Sequence, residues 1–181
     1  MVGFKQLLIQ RKPSILQRWV DLIVATYPAH TSTLMRQERD PFSNPVGHTL
    51  TIETEALYEG LLRGDGADRL SGHLDKIVQI RSVQDFSPSR AVAVVPLLKE
   101  AVRKEIEQGG FDDSRLMVEW LEFDARIDQL SLLAFDLYAK NREKICEIRI
   151  DEMRKERDRA LRMLRLTNPR EKHRDPETSS G

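Results

Sequence analysis

Apolar residues recur three and four positions apart along almost the whole chain, and no stretch alternates apolar with polar. Both features predict an all-α fold. "FKQLLIQRK" (Phe4–Lys12) reads as a short first helix. Pro13 opens the second, where a missing N–H costs nothing. Ile15, Leu16, Trp19, Leu22 and Ile23 form its apolar stripe, and Pro28 ends it by biasing Tyr27 away from helical angles. A brief helical piece around Leu34–Arg36 leads into "ERDPFSNPVGHTL", where two prolines and a glycine within seven residues predict a loop. A longer helix runs from about Val46 to Leu62. Gly64 is placed as its left-handed cap, and Asp65 or Asp68 starts the next helix, which carries Leu70, Leu74, Ile77 and Val78 to about Val83.

The stretch "RSVQDFSPSRAV" (Arg81–Val92) then turns a corner. Ser87 suits an N-cap and Pro88 the first helical position. Phe86 is placed to pack as a hydrophobic staple. The helix they open runs to about Gln108, with a kink at Pro96. Arg81 and Asp85 lie four apart and are spaced to pair.

The last helix is long. No glycine or proline occurs between Phe111 and Asn168. Leu116, Trp120, Phe123, Ile127, Leu130, Ala134 and Leu137 follow a three-four heptad spacing. The pattern slips at Asn141 and Lys144, then resumes with Cys146, Ile150, Met153, Ala160 and Leu164. Unbroken, this helix would be about 80 Å long, too long for a small bundle to cover; a break near Asn141 is the alternative. Residues 1–139 therefore read as a helical bundle domain, 140–167 as a projecting charged exit helix, and 168–181 as a disordered polar tail.

Charge sharpens that division. The chain is 32% charged with zero net charge, so no global electrostatic case for nucleic acid exists. From Lys140 to Gly181, however, there are 13 Lys and Arg against 9 Asp and Glu, a net of +4, which leaves −4 on the rest. The basic arm has no aromatic residue after Tyr138, which suits a solvated or coiled-coil helix better than a nucleic-acid groove. A single cysteine, Cys146, fits a reducing compartment. The start shows no signal peptide, and no apolar run reaches the length of a membrane span. A cytoplasmic location and no membrane insertion are expected.

Candidate chemistry is sparse. His30, His48, His73 and His173 form no H-x-x-x-H or E-x-x-H cluster, which argues against zinc or a di-iron centre. His73 is the one histidine well inside a helix and so the one candidate for haem; no cofactor and no metal are expected. No phosphate-cradling loop or nucleophile elbow is present, so the chain reads as non-enzymatic. The two proline-bearing loops offer Asn44 and His48 from one, and Arg81 and Asp85 from the other, as candidate ligand contacts. Capping and packing alone explain the corner, and that structural reading is favoured over a ligand role.

"IRSVQDFSPSRAVAVVPLLKE" (Ile80–Glu100) resembles the signature segment of the N-terminal domain of RsbRD-type RsbT co-antagonist proteins. "DPFSNPVGHTL" resembles that family's second recurring segment, "ILQRWVDLIVATYP" its opening helix, and "DLYAKNREKICEIRIDEMRK" its exit helix. The resemblance implies a helical sensory domain of bacterial stress signalling, related to the haem-less globin-like input domains of stressosome scaffolds. Such domains dimerise and signal through the exit helix to a C-terminal STAS domain. No βαβ pattern for such a domain follows here, so either a stand-alone member or a truncated piece of a longer protein is expected. The first expectation for function is a regulatory or scaffold protein acting through protein contacts, a homodimer using Ile145, Ile148, Ile150, Met153, Leu161 and Leu164. The second is a small-ligand sensor with a pocket in the bundle.

Overall fold

The computed structural model describes residues 3–38, 40–84, 86–108 and 114–167, side chains at 114–116 and 165–167 excepted. Asp85, the side chain of Leu116 and the tail 168–181 lie outside the described residues. All regular structure among the described residues is helical: α1 (Phe4–Gln10), α2 (Lys12–Ala25), α3 (Ala29–Gln37), α4 (Pro45–Arg63), α5 (Ala67–Val83), α6 (Pro88–Val92), α7 (Leu97–Gln108) and α8 (Ser114–Thr167). The chain divides into two compact units, Met1–Arg142 and Glu143–Gly181.

Within the first unit α2 is the hub. It packs against α1, α3, α4 and α7, while α4 packs on α5. Its stripe of Ile15, Trp19 and Ile23 is fully buried and meets Leu50 and Leu57 of α4, Leu74, Ile77 and Val78 of α5, and Leu98 and Val102 of α7 in one core. The first part of α8 closes this core with Phe123, Ile127, Leu130, Ala134 and Tyr138. Phe4 meets Trp120 and Phe123 edge to face, and Lys99 of α7 grips Asp124 and Asp128 at 2.7 and 2.8 Å.

Four local expectations are corrected. The helical piece around Leu34 is longer: α3 starts at Ala29, directly after Pro28. Ser32 and Thr33 point their hydroxyls back to the Ala29 carbonyl, so two poor helix formers bond within the helix. Neither Asp65 nor Asp68 caps α5. Gly66 holds that position without a side-chain bond, and Asp65 is taken by Arg63 and Arg69. Gly64 is left-handed as expected, at φ 80°.

Pro96 separates two helices rather than kinking one. Pro96 has no N–H for the Val92 carbonyl, and the backbone tightens, Val95 N–H reaching Val92 and Leu98 N–H reaching Val95. The Val94 carbonyl is taken by the indole N–H of Trp19 at 2.7 Å. Ser87 does sit at the N-cap of α6, but its side chain makes no capping bond; its hydroxyl faces that of Ser89 at 3.3 Å instead.

The final helix is continuous through Asn141. That side chain donates to Asp75 at 2.9 Å, and Arg142 donates to the Ser82 carbonyl. The off-pattern Asn141 and its neighbour Arg142 thus anchor the helix to α5 instead of breaking it.

Candidate ligand cavity and exit-helix surface

The corner after α5 is built around Arg81. Its side chain is fully buried and enters the junction of α2, α5 and α6. Nε donates to the Ala91 carbonyl at 3.1 Å. One terminal nitrogen donates to the Arg90 carbonyl at 2.8 Å and to the Thr26 hydroxyl at 2.9 Å. Those carbonyls end α6 just before the proline break, and a cation at a helix C-terminus is favoured by the helix dipole. The guanidinium stacks over Phe86 at 4.0 Å and lies 5.1 Å from the Tyr27 ring centre. Tyr27 and Phe86 meet edge to face at 5.1 Å. Arg90 closes the outside by donating to the Thr26 carbonyl.

No ion pair to Arg81 exists among the described residues. Burial pushes its pKa below the usual arginine range, with the neighbouring Tyr27 opposing. Burial likewise pushes the Tyr27 phenol up, and the nearby guanidinium partly offsets it. The guanidinium lies beside the Tyr27 hydroxyl and interacts with it, while by ordinary hydrogen-bond geometry the Tyr27 hydroxyl, the second terminal nitrogen of Arg81 and Oε1 of Gln84 find no partner. Each such orphan costs about 1–3 kcal/mol.

Two cavities flank this junction. The smaller, about 340 Å³, is walled by Tyr27, Leu34, Met35, Asn44, Val46 and Gln84. The larger, about 670 Å³, runs between α2 and α4 and includes Asn44, Gly47, His48 and Thr51. Asn44 borders both. Its Oδ1 accepts from Gly47 N–H at 2.9 Å, capping α4, and its amide nitrogen donates to the carbonyls of Met35 and Glu38. Asn44 therefore shapes both cavities while its polar atoms tie α3 to α4. Gly47 is required there, because a Cβ would lie 2.8 Å from the Asn44 Cγ.

Of the four residues singled out from sequence, Asn44 and His48 share the larger cavity. Arg81 borders neither, being sealed behind Tyr27 and Phe86. Asp85 lies outside the described residues. Tyr27 and Gln84 carry the unpaired atoms and were missed. Tyr27 reads in sequence only as the residue before a proline, and nothing in its spacing announces a buried hydroxyl.

Elsewhere in the first unit, Glu53 on α4 is a buried carboxylate bonded by His73 at 2.6 Å and Lys76 at 2.7 Å from α5. Burial opposes its ionisation, but those two partners outweigh that and lower its pKa. His73, the haem candidate, thus spends one ring nitrogen on Glu53. Among the described residues no group of three or more His, Cys, Asp or Glu could hold a metal ion, and no helix is long and apolar enough to cross a membrane.

In the second unit the described residues are those of the later part of α8. Ile148, Ile150, Met153 and Leu161 are 51%, 43%, 60% and 47% exposed, Leu164 is exposed as well, and Ile145 is half-buried. Arg154–Asp151 and Arg157–Asp158 pairs lie along the same helix.

No curated protein and no solved structure matches the chain. The family model described as the RsbT co-antagonist protein rsbRD N-terminal domain matches residues 13–153, from the head of α2 to the exposed Met153 of α8. With most of its length covered, the chain belongs to the RsbT co-antagonist protein rsbRD N-terminal domain family.

Proposed function

We propose that this chain is a non-enzymatic regulatory module that works through protein contacts made by the second part of α8, first of all with a second copy of itself. Family membership makes it a domain of regulatory signalling proteins. The observation that carries the finer reading is the exposed apolar face of Ile150, Met153, Leu161 and Leu164 on a helix whose first part is locked into the core. Burying a half-exposed Ile, Leu or Met regains about 1 kcal/mol, so the four residues of this face on each of two chains contribute roughly 8 kcal/mol. Association costs about 4–15 kcal/mol. The balance is small and favours a reversible contact, which suits a switchable signalling element. The isologous geometry of a two-fold pair also lets one self-complementary strip cover itself.

Light scattering on the full chain across the micromolar range tests this. A dimer mass is expected, falling to the monomer in the double variant Ile150→Glu, Leu161→Glu with an unchanged melting temperature of the bundle. Cys146 is exposed on the same helix and reports the arrangement: a parallel, in-register pair cross-links through it on mild oxidation. A monomer at every concentration, or a dimer mass untouched by the two glutamates, would falsify the proposal.

A further inference from the structure

We propose that the 670 Å³ trough between α2 and α4 binds a zwitterion with an apolar side chain, a free α-amino acid or a short peptide. The observation is that exposed groups of both charges crowd one end of a channel with an apolar floor. Lys12 at the head of α2 pairs with Glu55 and Glu59 late in α4, so the two helices run antiparallel. Asp21 lies nine residues after Lys12, and His48 lies seven and eleven before those two glutamates. At equal rise per residue, Asp21 and His48 therefore stand across the trough from each other, and both border it. The last turn of α3 adds Arg36, and its C-cap adds Glu38. Asn44 ties that end of α3 to the start of α4 by donating to the Met35 and Glu38 carbonyls.

These groups are within reach of a ligand. Asp21, Arg36, Glu38 and His48 are all exposed. Among the described residues the Arg36 and His48 side chains make no hydrogen bond or ion pair. Asp21 accepts from the Gln17 amide at 3.1 Å and Glu38 from the Asp40 N–H at 3.0 Å, which leaves accepting capacity on both carboxylates. A ligand of one sign meets opposition here: a cation from Arg36, an anion from Asp21 and Glu38. A zwitterion does not. Its ammonium suits the two carboxylates, while its carboxylate accepts from Arg36 and the His48 ring. The floor selects the side chain. Leu16, Val20 and Val24 of α2 and Met35 of α3 border the same space. On the α4 wall the Thr51 and Thr54 hydroxyls are already given to the Gly47 and Leu50 carbonyls, so an aliphatic side chain fits best. At about 30 Å³ per water-sized share, the space holds roughly twenty heavy atoms, enough for leucine with water or for a dipeptide, in the ordinary range of ligand pockets. The rim is open to water, so each charge contact is modest and the binding reversible. Nothing in this site draws on the exit helix.

Leucine and leucylleucine serve as probes. Isopentylamine, which lacks the carboxylate, and 4-methylpentanoate, which lacks the ammonium, are the controls. Each is titrated into the full chain and followed by amide NMR shifts of residues 20–24, 35–38 and 44–51. Leucine or leucylleucine is expected to shift these amides saturably and to bind more tightly than either control. Tighter leucine assigns a free amino acid, and tighter leucylleucine a short peptide. Asp21→Asn is expected to weaken the zwitterions and isopentylamine about threefold to fivefold and to leave 4-methylpentanoate unchanged. Arg36→Gln is expected to do the reverse for the two controls while weakening the zwitterions to the same extent. Both side chains are exposed, so the fold should be kept; Glu38→Gln replaces Asp21→Asn if that variant fails to fold. An absence of saturable shifts with both zwitterions overturns the proposal, as do controls that bind equally well and zwitterion affinities that the charge variants leave untouched.

Discussion

Replacing Arg81 by methionine removes the centre of the corner while keeping a side chain of similar length and apolar bulk. In the folded chain the guanidinium supplies three hydrogen bonds, to the carbonyls of Arg90 and Ala91 and to the Thr26 hydroxyl. Among the described residues no backbone N–H takes over either carbonyl, because the helix ends before Pro96. A hydrogen bond to a charged group is worth about 1.5–3 kcal/mol, so three amount to roughly 6 kcal/mol. Against this, methionine avoids burying a cation, an effective cost of several kcal/mol. The net loss expected for Arg81→Met is about 2–4 kcal/mol, which lowers Tm by roughly 10 °C for a chain of this size. Thermal and urea unfolding by far-UV circular dichroism measure it. Arg81→Lys separates charge from geometry: an ammonium donates from one point and cannot span the separate positions of Nε and the terminal nitrogen, so it should recover less than half of the loss. Methionine within about 0.5 kcal/mol of the parent chain, or lysine equal to arginine, would refute the view that the corner is held by this fork.

Gly47→Ala should destabilise by about 1–2 kcal/mol, although alanine is normally the better helix former by about 1 kcal/mol, because its Cβ would press on the Asn44 amide, 2.7 Å from Oδ1; a higher urea midpoint than the parent chain would contradict this. Ser87→Ala should change stability by less than about 0.5 kcal/mol, not the roughly 1 kcal/mol of a capping serine, since the hydroxyl makes no capping bond; chemical denaturation decides. Glu53→Gln tests the buried carboxylate through pH. Its pKa lies below the ordinary value of 4.5, so its contribution is full above that pH and is lost as pH falls through the lower, folded-state value. The stability gap between parent and Glu53→Gln should therefore be widest near neutrality and close in acid, and a gap constant with pH in unfolding midpoints would count against the contacts of the carboxylate with His73 and Lys76.

Much of the fold is legible because its rules are local. The stripes on α2, α4 and α5 follow from spacing, Gly64 from the need for positive φ, and the start of α2 from Pro13. The corner is visible as a corner, and Arg81 as a residue of interest within it. Its role is not visible, because a guanidinium four residues before an aspartate reads as a surface pair until the elements that bury it are in place. Pro96 reads as a kink for a similar reason. The outcome depends on whether the freed carbonyls find donors, and the donor for Val94 is Trp19, 75 positions away.

By itself the sequence determined the helical class, the long glycine- and proline-free last helix, the separation of an acidic body from a basic arm, and the family. Each rests on periodicity, composition or recurring segments, which need no knowledge of neighbours in space. Tertiary structure alone decided that Arg81 caps α6, that Asn141 anchors α8 through Asp75, and that Tyr27 and Gln84 meet at one cavity. Those outcomes turn on hydrogen bonds and burial between residues far apart in the chain, and a polar group's free energy is set by the partners it finds after folding.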